Sequence, residues 1–124
     1  MATIFSKIIA GEIPSYKIYE DEKTFAFLDI NPEAEFHTLV VPKTECDKIY
    51  DLEDEDYLAL WQSAKKIAKH MEEVTGKRPI FKVIGVDVPH AHIHIIPYQE
   101  NYEQGTTLKL SDEEFKEIAK KLAF

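Results

Sequence analysis

The stretch Pro89-His90-Ala91-His92-Ile93-His94-Ile95-Ile96-Pro97 holds three of the chain's five histidines at two-residue steps. A strand turns successive side chains to opposite faces, so residues i, i+2 and i+4 share one face. The alternation predicts a strand from His90 to Ile96, bracketed by the two prolines. His90, His92 and His94 then form a row with steps of ~7 Å. Ala91, Ile93 and Ile95 point the other way, into an apolar core. The expected sheet is apolar on one face and lined by imidazoles on the other. Such a row is costly as mere scaffolding. Each ring needs hydrogen-bond partners if buried, and three cations side by side would repel.

Outward from this strand, Ile80-Phe81-Lys82-Val83-Ile84 reads as the strand before it, with Gly85 starting a turn. A long helix is predicted from about Glu53 to Thr75, with Leu58, Trp61, Ala64, Ala68, Met71 and Val74 recurring at three- and four-residue steps. The acids Glu53 to Asp56 suit its positive end, and Gly76 then Pro79 close it. His37-Thr38-Leu39-Val40-Val41, ended by Pro42, reads as a buried strand. Tyr16 to Tyr19 and Thr24 to Leu28 flank a polar turn and read as a hairpin. Ile4, Phe5, Ile8 and Ile9 have helical spacing, with Thr3 as cap and Gly11 then Pro14 as stop. Ser111-Asp112-Glu113-Glu114 is a capping box for a last helix carrying Phe115, Ile118, Ala119 and Leu122. The order predicts an α+β fold, with helices packed on an antiparallel sheet.

Length and composition narrow the function. The 124 residues, without repeat or linker, make one domain spanning 1–124 the expectation. Apolar residues at 44% and charged residues at 31% suit a folded core. Fifteen Lys and Arg against 23 Asp and Glu leave a net charge of −8, which argues against a sequence-independent grip on nucleic acid. A small anionic ligand stays compatible, because a local pocket outweighs a screened distant field. The lone cysteine, Cys46, has no disulfide partner and no CxxC mate. No apolar run approaches the roughly 20 residues that cross a bilayer, and the start lacks the layout of a signal peptide. No membrane partner and a reducing, cytoplasmic location are therefore expected.

The residues alone leave two chemistries open. Histidines on a strand can hold zinc with a site left for water. The nearest acid for that chemistry, Asp87, lies three residues before His90, on the opposite parity and in an expected surface turn. Alternatively an imidazole attacks an electrophilic phosphorus while its neighbours hold the phosphoryl oxygens. At an ordinary pKa of ~6.5 the ring is mostly neutral near pH 7 and can attack without a separate base.

The triad followed by two apolar residues resembles the signature of the histidine-triad (HIT) superfamily. Ile4-Phe5-Ser6-Lys7-Ile8-Ile9 with Glu12-Ile13-Pro14 resembles the N-terminal helix and exit of its Hint branch. Phe27-Leu28-Asp29-Ile30-Asn31-Pro32 resembles its nucleoside-binding turn, and His37 to Lys43 the strand bearing its fourth histidine. The resemblance spans roughly residues 3–97 and implies a five-stranded antiparallel sheet, continuous across a homodimer. It implies a hydrolase or transferase acting on purine nucleoside 5′-phosphoramidates, or related nucleoside phosphoryl compounds, through a nucleotidyl-histidine. His92 matches the nucleophile, and His94 the residue that hydrogen-bonds the phosphate. His90 helps hold the row, and His37 is the supporting fourth histidine. Asp29 matches the acid that takes the ribose hydroxyls. Phe5, Ile8, Leu28 and Ile30 match the walls around the base. A non-catalytic nucleotide-binding domain and a histidine-based metal hydrolase are the alternatives.

The pattern departs from the family before the triad. Ile84-Gly85-Val86-Asp87-Val88-Pro89 is a shortened loop in which Val86 and Asp87 replace Gln and Ser, and an upstream Asn is missing. Some HIT proteins bind structural zinc through two N-terminal cysteines. The matching positions are Thr3 and Ser6, so neither a metal site nor a cofactor is expected.

Overall fold

The computed structural model describes residues 3–86, 88–100 and 102–124. Helix α1 (Ile4–Ile9) leads into strands β1 (Lys17–Glu20), β2 (Thr24–Leu28) and β3 (Thr38–Pro42). A short 3₁₀ turn (Ile49–Asp51), helix α2 (Asp54–Thr75), strands β4 (Pro79–Lys82) and β5 (Ile93–Pro97) and helix α3 (Asp112–Leu122) follow. The strands form one antiparallel sheet in the order β1-β2-β3-β5-β4. The fold is α+β, with the five-stranded antiparallel sheet that was expected.

The helix ends follow local chemistry. Thr3 and Ser6 form a reciprocal capping box on α1, and Ser111 and Glu114 form another on α3. Asp54, Glu55 and Asp56 fill the first turn of α2. Gly76, with φ 70°, takes the left-handed conformation that ends α2, where a Cβ would be strained.

The strand alternation sorts side chains between two apolar layers. Ile18, Ala26, Val40, Ile93 and Ile95 pack beneath α2 and α3, with Leu60, Ile67, Met71, Phe115 and Leu122. On the opposite face Phe25, Phe27, Leu39 and Val41 pack against Phe5 of α1. That second face is thus apolar beneath α1, with imidazoles on its β5 side and just before β3.

Two local expectations need correction. The buried stripe of α2 is Leu60, Ser63, Ala64, Ile67, Ala68 and Met71, while Leu58 and Val74 are exposed. Apolar spacing missed Ser63 because its burial depends on a hydrogen bond to Thr24 Oγ1 (2.7 Å) and one donated to Asp21 Oδ2 (3.1 Å). Trp61 is half-buried on the flank of α2, 6.1 Å from Phe81 between ring centroids. The histidine strand also starts three residues later than read. The His90 amide bonds Val88 O (2.8 Å) and the Ala91 amide bonds Cys46 O (2.6 Å). These residues therefore satisfy their amides in a turn and against the segment after β3, and ladder pairing starts only at Ile93.

Candidate active site

A cleft of about 380 Å³ opens between α1, the turn after β2 and the start of β5. Phe5, Ile8, Leu28 and Ile30 line its apolar part, and Asp29, His37, His92 and His94 its polar part. A larger but shallower groove, about 530 Å³, lies between the β1–β2 hairpin and the C-terminus and carries no histidine. The polar cleft is where reactive groups converge.

Backbone geometry delivers each side chain. The Asp29 amide donates to His37 O (2.9 Å), which ties the residue after β2 to the residue before β3. Phe36 holds φ 70°, a rare conformation for a bulky residue, immediately before His37. His94 stands opposite Leu39 in the β3–β5 ladder and opposite Lys82 in the β4–β5 ladder.

Hydrogen-bond bookkeeping then assigns protons to the rings. The Glu33 amide donates to His37 Nδ1 (2.9 Å), so a neutral His37 carries its proton on Nε2. That Nε2 lies 2.9 Å from His94 Nδ1 and donates to it. His94 accepts on Nδ1 and so keeps its own proton on Nε2. On the other ring, His92 Nδ1 lies 2.7 Å from His90 O. A carbonyl only accepts, so His92 carries its proton on Nδ1 and its electron pair on Nε2. His90 donates from Nε2 to Pro42 O (2.8 Å) and accepts on Nδ1 from Thr3 Oγ1 (2.8 Å). The row therefore contains one ring with both nitrogens engaged, one with a basic Nε2 and one with an Nε2–H donor.

Burial keeps His37 and His90 neutral. His37 is 2% exposed, and desolvation, aided by the neighbouring His94, depresses its pKa to about 3. Desolvation also lowers the pKa of the fully buried His90. A neutral His37 makes its 3.4 Å approach to Asp29 Oδ2 a dipolar contact, not an ion pair. Burial raises the Asp29 pKa, opposed by the Asn31 amide that donates to Oδ1 at 2.8 Å. At Glu33 burial acts upward too, but donors from Lys82, Gly105 and Tyr102 outweigh it and hold the carboxyl below its usual range.

Neither candidate metal set fits well. Asp29, His37 and His94 offer ligand atoms within 4.8 Å of one another. A metal there needs the electron pair of His37 Nε2, the nitrogen on which the Glu33 amide fixes the proton. At the two positions that correspond to cysteines, Thr3 and Ser6 present hydroxyls, one directed to His90 and one to Glu45. Zinc prefers thiolate and imidazole ligands, and these hydroxyls already serve as hydrogen-bond donors.

All nine residues singled out in the sequence surround this cleft or support it. His92, His94, His37, Phe5, Ile8, Leu28, Asp29 and Ile30 line it. His90 sits behind His92, and Ile30 lies at the rim, 64% exposed. Sequence reading missed Glu33, Lys82 and Thr107, which also line the cleft. Lys82, a charge within an otherwise apolar strand, was the available signal. Thr107 had none, because the segment around it has no periodicity. Asp87 lies outside the described residues.

The fold and the cleft define a class: a small α+β protein with imidazoles arrayed beside a half-apolar pocket. The HIT domain family matches residues 10–101, so the chain belongs to the HIT family. It is 41% identical over 101 residues to adenosine 5′-monophosphoramidase HNT1 of Saccharomyces cerevisiae, covering 80% of this chain and 64% of that protein. It is 33% identical over 129 residues to adenosine 5′-monophosphoramidase hnt1 of Schizosaccharomyces pombe, covering 99% of this chain and 97% of that protein. A solved Hit-like protein involved in cell-cycle regulation from Bartonella henselae matches with TM-score 0.87 at 34% identity. That match covers 97% of this chain and 92% of the other.

Proposed function

We propose that this protein hydrolyses purine nucleoside 5′-phosphoramidates, or related nucleoside phosphoryl compounds, through a nucleotidyl-His92 intermediate. The single observation carrying this reading is the contact from His92 Nδ1 to His90 O, which leaves the electron pair of Nε2 for attack. Nε2 forms a bond to phosphorus as the P–N bond to the leaving amine breaks, and the departing amine takes a proton from water. His94 Nε2–H donates to a phosphoryl oxygen, where charge develops in the transition state. The nucleotidyl-imidazole is cationic, and His90 O accepts a charge-assisted hydrogen bond from its Nδ1–H. Water then attacks phosphorus, the P–Nε2 bond breaks, and nucleoside 5′-monophosphate leaves with His92 neutral again. Asp29 accepts the ribose hydroxyls, and Phe5, Ile8, Leu28 and Ile30 enclose the base.

The described chain acts as one HIT domain in this reading and pairs with a second copy. Strand β4 is a sheet edge, and Phe81 on it, Tyr57 and Leu58 of α2, and Val83 just after β4 are exposed apolar side chains. An unpaired strand edge beside such residues favours continuation of the sheet into a partner.

Incubation with adenosine 5′-phosphoramidate, followed by intact-mass and peptide analysis, tests the chemistry. The expected result is AMP release and a nucleotidyl adduct confined to His92. AMP binding with no turnover and no adduct would leave a nucleotide-binding domain instead.

A further inference from the structure

Helix α1 has six residues, too few to hold a position by itself. Yet it forms a wall of the cleft and a cover over the imidazoles. Phe5 meets Phe27, His90 and His92 edge-on, at centroid distances of 5.6, 5.8 and 5.1 Å. Ile4 and Ile8 line the cleft beside it. Something outside the helix has to fix where this wall stands relative to His92.

Two hydroxyls do so. The Thr3 amide donates to Ser6 Oγ (3.1 Å) and the Ser6 amide donates to Thr3 Oγ1 (3.0 Å), which closes the capping box. Both hydroxyl protons are then directed away from the helix. Thr3 Oγ1 donates to His90 Nδ1 (2.8 Å), and Ser6 Oγ donates to Glu45 after β3. The Ser6 contact holds the Glu45 carboxyl below its ordinary pKa range, so it stays an acceptor. His90 reaches Pro42 O with its other nitrogen, while its carbonyl receives His92 Nδ1–H.

We infer that Thr3 is a positioning residue: its hydroxyl fixes His90, and through the His90 carbonyl the orientation of His92, while anchoring the helix that walls the cleft. Ser6 and Glu45 form the second anchor of that wall. The arrangement couples occupancy of the base pocket to the aim of Nε2, because one helix cap serves both. His90 is then a strut with both ring nitrogens engaged, not a group that meets substrate. This inference rests on His92 being the reacting imidazole.

The test compares full-length wild type with Thr3→Val and Thr3→Ser. Thr3→Val keeps the shape but removes both the donor to His90 and the acceptor of the Ser6 amide, whereas Thr3→Ser restores both. Long-range ¹H–¹⁵N spectra of the imidazoles report each ring's tautomer without reference to activity. Thr3→Val is expected to leave the His90 proton on Nε2, where Pro42 O holds it. It is expected to shift the His90 Nδ1 resonance and the His92 signals as the hydroxyl donor is lost, and to lower kcat on adenosine 5′-phosphoramidate at least tenfold. Thr3→Ser is expected to restore these resonances and kcat. Unchanged imidazole signals in Thr3→Val, or a loss that Thr3→Ser does not rescue, overturns the proposal. If wild type shows no hydrolysis, the phosphoramidase reading fails, and the spectra still decide the role of Thr3. Should Thr3→Val not fold, Ser6→Ala removes the tie to Glu45 and the Ser6 half of the capping box but leaves the Thr3 hydroxyl on His90. It is expected to raise KM severalfold, and an unchanged KM with unchanged spectra counts against the anchor.

Discussion

His92 Nδ1 lies 2.7 Å from the backbone carbonyl of His90, so one residue of the triad sets the protonation of the next. The main chain is harder to perturb than a side chain, and the contact costs no additional carboxylate in the cleft. The arrangement orients the imidazole and stabilises its charged form, a task that a buried acid performs in other nucleophile–base systems.

The His37–His94 pair should be sensitive to loss of its relayed proton. In His94→Ala, kcat for phosphoramidate hydrolysis is expected to fall about 10²–10³-fold, the usual cost of one donor to a developing oxyanion. His37→Ala acts only by orienting His94 and should cost less. Steady-state kinetics on both variants check the order, and an equal or larger loss in His37→Ala would contradict it.

Asp29 should contribute chiefly to ribose recognition. Asp29→Asn is expected to weaken AMP binding by about 1.5–3 kcal/mol, the range for hydrogen bonds to a charged group. The same substitution should matter much less for 2′,3′-dideoxy-AMP. Calorimetric titration of both ligands against both proteins closes the cycle.

Acid should destabilise the fold through His37 and His90. Their folded-state pKa values are depressed, His37 to about 3, so the unfolded chain binds protons that the folded chain refuses. Their contribution is complete above ~6.5 and is lost as pH falls, at about 1.4 kcal/mol per pH unit per ring within the titration window. Asp29 acts in the opposite sense, because its raised pKa favours the folded state at low pH. Urea unfolding from pH 7.5 to 4.5 should show a falling stability, with a shallower slope in His37→Gln.

Glu33 clamps the segment after β5. Its carboxylate accepts from Lys82, from Tyr102 Oη (2.9 Å) and from the Gly105 amide (2.7 Å), and nearby Pro32 O accepts the Leu108 amide (2.7 Å). Glu33→Ala should speed hydrogen exchange at Gly105 and Leu108 and cost roughly 1–3 kcal/mol, since Lys82 loses its partner. Exchange measured by mass spectrometry suffices, and unaltered protection would rule out the clamp.

Phe81→Asp should disfavour pairing across the β4 edge. Phe81 is 45% exposed, so the substitution is tolerable within one copy but places like charges together in a symmetric pair. Sedimentation analysis should find wild type dimeric and the variant monomeric. A monomeric wild type at micromolar concentration would remove the proposed dimer.

Much of the fold could be read from local patterns. The alternation of Ala91, Ile93 and Ile95 against His92 and His94 sorted their faces correctly, because strand period is a backbone property. In the α2 stripe Ala64, Ala68 and Met71 were read correctly, but Ser63 was missed, since its burial depends on Thr24 and Asp21, which lie 39 and 42 positions away. The start of β5 was misjudged for a similar reason: Ala91 bonds Cys46 instead of a strand.

The division at the cleft follows the range of the interactions. Composition, the two-residue histidine spacing, the caps at Thr3 and Ser111 and the turn at Asp29 are short-range features, and they carry the α+β class and the histidine row, while the resemblance to the HIT family supplied the other cleft residues. Proton placement on the four imidazoles, the depressed pKa of His37 and the roles of Glu33, Lys82, Thr107 and Glu45 arise from contacts between segments distant in the chain. A ring nitrogen's state is set by whichever carbonyl or amide folding brings within 3 Å. Nothing in the spacing of His90, His92 and His94 distinguishes the strut from the nucleophile or from the donor.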